Sequence, residues 1–329
     1  MLPLLLLLQA APPPRLTQFL QQRIGLDAAQ LATVERGEPV VKVLETRDRR
    51  DVALFGIVTT PALREQYVRA LRNFATSLRT PTRTQVGIFS EPATESDVAA
   101  VTINSRDVAD MKNCKPGDCV VKLPATDMRS IHDQMNWSAS PSDLQAQLSA
   151  YAHRRLVEYV TDYRRRGDSA MAIYDDRGNL NVHSSEAFAA QLAESPYVYE
   201  LVPSLRNYLA TYPRGSLPAG AVEILFWSED VLPRLRPILS VSHLVVYTPP
   251  ELPSVTLAAT KQIYANHYFE TAVDLTCIID RNPGVYLLVL RRYRFDNLPG
   301  GILNIRGRAI GALRDQLTLD LRRQQTTGN

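Results

Sequence analysis

Lys261, His267, His243 and Tyr264 are the residues whose types and placement best suit ligand chemistry in this chain. Lys261 and His267 lie in a long β-patterned run that begins at Val255. Alternation sets Val255, Leu257, Ala259, Lys261, Ile263, Ala265, His267 and Phe269 on one face. Thr256, Thr260, Gln262, Tyr264, Asn266, Tyr268 and Glu270 take the other. A lysine among aliphatic neighbours is costly unless a partner or a wet cavity meets it. Six residues of strand span roughly 20 Å, so Lys261 and His267 cannot form a catalytic pair. The expectation is that they supply the few polar contacts of a cavity, binding a carboxylate or phosphate head group, with Leu257 and Ile263 as its apolar lining. The plainer alternative sends Lys261 to solvent and makes His267 a satisfied structural histidine. His243, between Val241 and Val245, carries the same two readings and is placed to lie across from the Val255 run. Tyr264, with Tyr268 and Phe269, either lines the pocket or packs as ordinary sheet aromatics. The run to Asp280 is too long for one regular strand, so a bulge or bend is expected near Ala265 to Tyr268.

Other chemistry-bearing residues are weaker candidates. Cys114 and Cys119 flank Lys-Pro-Gly-Asp, a turn that brings two sulfurs together, and a disulfide is the expected outcome in an oxidising compartment. So short a loop contributes only about 2 kcal/mol in the chain-entropy account. Cys277, among Leu275, Ile278 and Ile279, reads as a buried free thiol. Lys122 reads as a solvated surface lysine, and Arg291, Arg292 and Arg294 with Asp296 as an exposed edge or surface ion-pair ladder. The triplet Arg166-Gly167-Asp168 reads as a helix end, where basic residues suit the dipole. No nucleophile elbow, phosphate-binding glycine loop, His-Glu-x-x-His or dinucleotide fingerprint is present. The five histidines (132, 153, 183, 243 and 267) are not at ligand spacing, so neither a metal nor a cofactor is expected.

The elements that must position these residues follow from pattern. The 329 residues are 45% hydrophobic, enough for a sizeable core, and the net charge of +3 shows no basic stripe for nucleic acid. Residues 1–11 match the apolar core and small-residue end of a secretory signal and are too short to span a bilayer, which makes the expected location exported, periplasmic or secreted. Residues 12–38 form an N-terminal helical segment, and 39–329 one α+β domain with a helical insertion at about 92–220. Val40–Glu45 and Val52–Thr59 read as a hairpin. Thr60-Pro61 reads as a helix start, with Leu63, Tyr67, Leu71, Phe74 and Leu78 as its buried stripe. Ser140-Pro141 starts a helix that ends at Gly167, with Leu144, Leu148, Ala152, Leu156, Tyr159, Val160 and Tyr163 on its apolar side. Late strands lead, through Gly300-Gly301, to an amphipathic closing helix carrying Ile302, Ile305, Ile310, Leu313, Leu317 and Leu321.

This order of hairpin, helix, intervening segments, long antiparallel strands and long terminal helix resembles the START-like helix-grip superfamily (the SRPBCC group) over about 40–80 and 220–325. The segments Cys114–Pro124 and Thr260–Phe269 look like those of an uncharacterised family of exported bacterial proteins. The helix-grip resemblance implies a curved antiparallel sheet gripping the C-terminal helix, with a lipid or other apolar molecule between them. The functional expectation is therefore an exported, non-catalytic protein whose pocket is lined by Leu257, Ala259, Ile263 and the closing helix. A hydrolase or isomerase on the same scaffold, using His267, Lys261 or His243 with an acid such as Asp274 or Glu270, is the first alternative. A cell-envelope protein that docks a partner on residues 92–220 is the second. No transmembrane segment is expected.

Overall fold

The computed structural model describes residues 14–178, 180–194, 202–232, 235–296 and 305–326. The expected signal sequence, Gly300-Gly301 and Ile302 lie outside the described residues. The fold is α+β, built on one large antiparallel sheet. Its strands are β1 (Val40–Leu44), β2 (Asp51–Thr60), β3 (Arg83–Ile88), β6 (Val222–Asp230), β7 (Ile238–Tyr247), β8 (Val255–Ala265), β9 (Phe269–Asp280) and β10 (Val285–Phe295). They pair in the order β1-β2-β10-β9-β8-β7-β6-β3. A small hairpin, β4 (Ile173–Arg177) with β5 (Leu180–His183), stands apart from it.

Alternation along each strand supplies two buried faces. On the first, Ile57, Leu288, Cys277 and Leu257 line up across β2, β10, β9 and β8. This face is covered by α1 (Pro14–Phe19), α2 (Ala28–Glu35) and three helices from the long segment between β3 and β6. Those three are α7 (Pro141–Arg166), α8 (Ser184–Ala193) and α9 (Pro203–Thr211). On the second face, Leu54, Val58, Leu287 and Ile278 meet Leu317 and Leu321 of the C-terminal helix α10 (Ile305–Thr326). Gly56 makes that approach possible, since a β-carbon there would stand 2.8 Å from Leu321 Cδ1. Helices α3 (Arg64–Arg72) and α4 (Phe74–Ser77) cover the rest of the second face.

Between β3 and β6 the chain also forms α5 (Ser105–Met111) and α6 (Ala125–Gln134). With α7 they enclose a separate apolar cluster of Ile103, Met111, Val121, Leu123, Ile131 and Leu148. Helix α7 is built as its sequence dictates. The Ser140 hydroxyl accepts from Asp143 N at 3.2 Å, Pro141 opens the first turn, and Gly167 closes the helix at φ 57°.

The bend expected near Ala265 to Tyr268 is present: the run from Val255 to Asp280 is a hairpin, with Asn266, His267 and Tyr268 between β8 and β9. Three expectations are corrected. A register shift between Val241 and Ser242 lies opposite Gln262 to Tyr264, earlier than expected, and it turns Tyr264 onto the first face. Thr60 and Pro61 do not start a helix: Thr60 is the last ladder residue of β2, paired with Val285, and α3 begins at Arg64, leaving Leu63 exposed. Arg292 and Arg294 are buried, because β10 sits between β2 and β9 and is no edge. Each is paired, Arg292 with Glu194 at 3.0 Å and Arg294 with Asp51 at 2.7 Å.

Candidate functional site

A cavity of about 630 Å³ lies where the cluster around α5 and α6 meets the first face of the sheet. One wall is α7, from Leu148 to Arg166, about 27 Å of helix axis at 1.5 Å per residue. Val121, Leu123 and Ile131 close one side, and Leu239, Met171 and Tyr264 close the sheet side. The volume is inside the ~300–1,000 Å³ usual for small-molecule sites. Physically the cavity is a seam. Two apolar clusters, each packed within itself, meet along α7 without interdigitating, and Ala152 and Ala170 leave the gap unfilled. A second recess of about 330 Å³, lined by Thr126, Ser130, Gln134 and Arg154, shares Asp127, Tyr151, Arg155 and Glu158 with the first. There the Asp127 carboxylate accepts from the Tyr151 hydroxyl at 3.0 Å and from Arg155 Nε at 2.8 Å. Burial pushes the Tyr151 hydroxyl up to about 12, so it stays a donor.

Of the six residues singled out for ligand binding, Tyr264 lines this cavity; its ring stands 5.9 Å from Tyr159, and its hydroxyl donates to the Lys122 carbonyl at 3.2 Å. Leu257 and Ile263 pack in the core of the first face, opposite to the face that carries α10. They and the closing helix therefore do not face a common space. The Cys114–Cys119 disulfide is formed, and its turn is held by Cys119 N donating to the Asp176 carbonyl at 3.0 Å. Cys277 is free and buried.

His243 and Lys261 belong to a second, packed polar cluster. His243 Nε2 lies 2.7 Å from Glu223 Oε2, and its Nδ1 lies 3.2 Å from the Tyr163 hydroxyl. The Tyr208 hydroxyl also donates to Glu223. Burial lowers the His243 pKa against the pull of Glu223, which favours neutral imidazole donating from Nε2. Lys261 Nζ pairs with Asp168 and lies 3.9 Å from the Phe188 ring centroid. Burial pulls the Lys261 pKa down to about 8, with Asp168 opposing. Neither residue borders the α7 cavity.

His267 serves the fold at a third place. Its Nε2 lies 2.9 Å from Asp107 Oδ2 and its Nδ1 3.2 Å from the Val120 carbonyl, so it ties α5 and the cysteine turn to the β8–β9 connection. Lys122, expected at the surface, is buried. Its ammonium contacts Asp296 and lies 3.7 Å from Asp176 and 4.1 Å over the Tyr174 ring. The sequence reading missed these partners because Asp176 and Asp296 are distant in the chain. It also passed over Asp127, Arg154 and Arg155, whose signal was faint: two arginines beside the apolar stripe of α7, with alanine inside that stripe at 152.

No family model matches the chain, and neither a curated protein nor a solved structure matches it. Among the described residues no group of three or more His, Cys, Asp or Glu is placed to hold a metal ion. No helix among them is long and apolar enough to cross a membrane.

Proposed function

We propose that this protein is a non-catalytic binder of an apolar small molecule or lipid, held in the cavity along α7. The observation that carries the reading is the cavity itself: about 630 Å³, walled mainly by aliphatic and aromatic side chains, with Asp127, Arg155, Glu158, Asp162 and Arg166 also in its lining. The polar groups around Lys261 and His267 are bonded to their own carboxylates, Asp168 and Asp107, and do not line the cavity, which favours binding over hydrolysis or isomerisation. Export is part of the same reading, and the Cys114–Cys119 disulfide supports it. So is the helix-grip resemblance, with a curved sheet gripping α10; the seating of Leu317 and Leu321 over Gly56 supports that picture. The proposed ligand space nevertheless lies on the other face, beneath α7.

The test is a titration of the delipidated full chain with N-phenyl-1-naphthylamine, whose fluorescence rises in apolar surroundings. Saturable enhancement is expected. Ala152→Phe and Ala170→Phe, each filling part of the seam, should reduce it at least tenfold while circular dichroism and melting temperature stay near those of the parent. Absence of enhancement, or enhancement untouched by either folded variant, overturns the reading.

A further inference from the structure

We infer that Asn266 is the specificity-determining residue of the α7 cavity. The ligand is an apolar molecule with an uncharged carbonyl oxygen, as in a ketone or an ester, and that oxygen accepts from Asn266 Nδ2. The inference rests on the binding reading above and adds the one polar group that the ligand must present.

Asn266 follows β8, is 6% exposed, and lines the cavity on the sheet side with Leu239 and Tyr264. Most of its polar groups are spent on the fold. Its backbone N–H donates to the Leu239 carbonyl at 3.0 Å, and its own carbonyl accepts from Lys122 N at 2.9 Å. Its side-chain Oδ1 accepts from Leu239 N at 2.8 Å. That last bond decides which way the amide is turned, because only its oxygen can accept from a backbone N–H. Nδ2 is left over. It has no hydrogen-bond partner among the described residues, and it is not sealed off from a neighbour the size of water.

Asn266 also borders a void of about 10 Å³, at the lower limit of what a single water needs, so only the cavity can bring a larger partner to this donor. An amide N–H left unbonded in apolar surroundings is costly, and a ligand oxygen seated there removes the cost. The absence of charge on that oxygen follows from the neighbours. The two cations that line the cavity, Arg155 and Arg166, are paired with Asp127 at 2.8 Å and with Asp162 at 2.9 Å. Lys122, whose backbone meets Asn266, has its ammonium on Asp296. An anionic group at Asn266 would meet no uncommitted positive charge among these residues, whereas a carbonyl oxygen needs only the N–H.

The experiment has two readouts on the delipidated full chain. Hexanophenone and hexylbenzene, which differ by a carbonyl in place of a methylene, compete against N-phenyl-1-naphthylamine. Infrared spectra of bound hexanophenone, isotope-labelled at the carbonyl, report the bond directly. In the parent the carbonyl band should lie below its frequency in hexane. Asn266→Ala should return the band to the hexane value and weaken hexanophenone about fivefold more than hexylbenzene. The ratio of the two competitors is the readout, because a general loosening of the fold weakens both alike. Should the alanine variant fail to fold, Asn266→Asp takes its place at about pH 8, where the ionised side chain keeps the oxygen that Leu239 N requires and lacks the amide N–H. A band at its hexane frequency in the parent, a lowered band that survives the substitution, or equal weakening of both competitors overturns the inference while leaving an apolar binder standing. Failure of the probe itself to bind removes the underlying reading.

Discussion

His243 and Lys261 stand directly opposite one another on β7 and β8, yet each turns to its own acid. His243 meets Glu223 at 2.7 Å, Lys261 meets Asp168, and Tyr163 of α7 touches both through its hydroxyl and the face of its ring. The Tyr163–His243 hydrogen bond and the Lys261–Asp168 pair fasten α7 and the turn that follows it, Gly167–Ala170, to the sheet. Because α7 is also the long wall of the proposed binding cavity, these polar contacts hold that wall while His243 and Lys261 themselves do not line the cavity.

The two buried lysines should respond differently to the same substitution. Lys122 is 2% exposed and its partners Asp176 and Asp296 are 4% and 5% exposed. Lys122→Met leaves Asp176 and Asp296 with only the half-exposed Arg177, 3.5 Å from one and 3.6 Å from the other, and a loss of about 3 kcal/mol is expected. Lys261 is 1% exposed but Asp168 is 29% exposed, so water can reach the carboxylate that Lys261→Met leaves behind. Its loss should be about 1 kcal/mol or less. Urea unfolding at pH 7 measures both, and equal losses would show that partner exposure does not set the cost.

Much of this architecture was legible because local chemistry and packing agree. Ser140-Pro141 and Gly167 bound α7 in sequence and in space, and the spacing of Leu313, Leu317 and Leu321 marks α10. The break between β8 and β9 was legible from the length of the run, but not its full reversal, because the connection contains no glycine or proline and Tyr268 takes the left-handed conformation at φ 64° that glycine normally supplies. The fate of Lys122 was hidden because burial of a charge depends on acids supplied from elsewhere in the chain. The cavity left no trace in periodicity, since it arises where two well-patterned clusters fail to interlock.

Gly167 should be intolerant of any side chain. At φ 57° it already favours glycine, and an added β-carbon would lie 1.8 Å from the Tyr212 carbonyl oxygen, a backbone atom that cannot step aside cheaply. Gly167→Ala should therefore cost more than about 3 kcal/mol and displace Asp168 from Lys261. Gly178→Ala is the control. It shares the strained φ, at 54°, but an added β-carbon meets nothing within 4 Å among the described residues, and the change should cost only about 1 kcal/mol. Thermal melts of the two variants compared with the parent decide the matter.

Gly311 offers the opposite case. It lies inside α10 with nothing among the described residues within 4 Å of an added β-carbon and no positive φ. Gly311→Ala should raise stability by about 0.5–1 kcal/mol, because alanine loses less backbone freedom in a helix. A lowered urea midpoint would mean that this stretch of α10 is not held as a regular helix.

The Glu223–His243 pair predicts two separate acid steps. Burial lowers the His243 pKa from its ordinary 6.5, so the unfolded chain takes up a proton near that pH while the folded protein does not. Stability should therefore fall as pH drops through 6.5, and level off once the folded imidazole protonates. Burial pushes the Glu223 carboxyl up, but hydrogen bonds from His243 and Tyr208 outweigh it and hold the pKa below its ordinary 4.5. Its contribution is present above 4.5 and is lost as pH falls from there through the lower folded value. His243→Gln keeps a side-chain donor for Glu223 and cannot titrate. It should flatten the fall between pH 7 and pH 5 while leaving the loss below pH 4.5. Urea unfolding at half-unit steps of pH separates the two, and an unchanged slope between pH 7 and pH 5 in the variant would assign the upper step to another group.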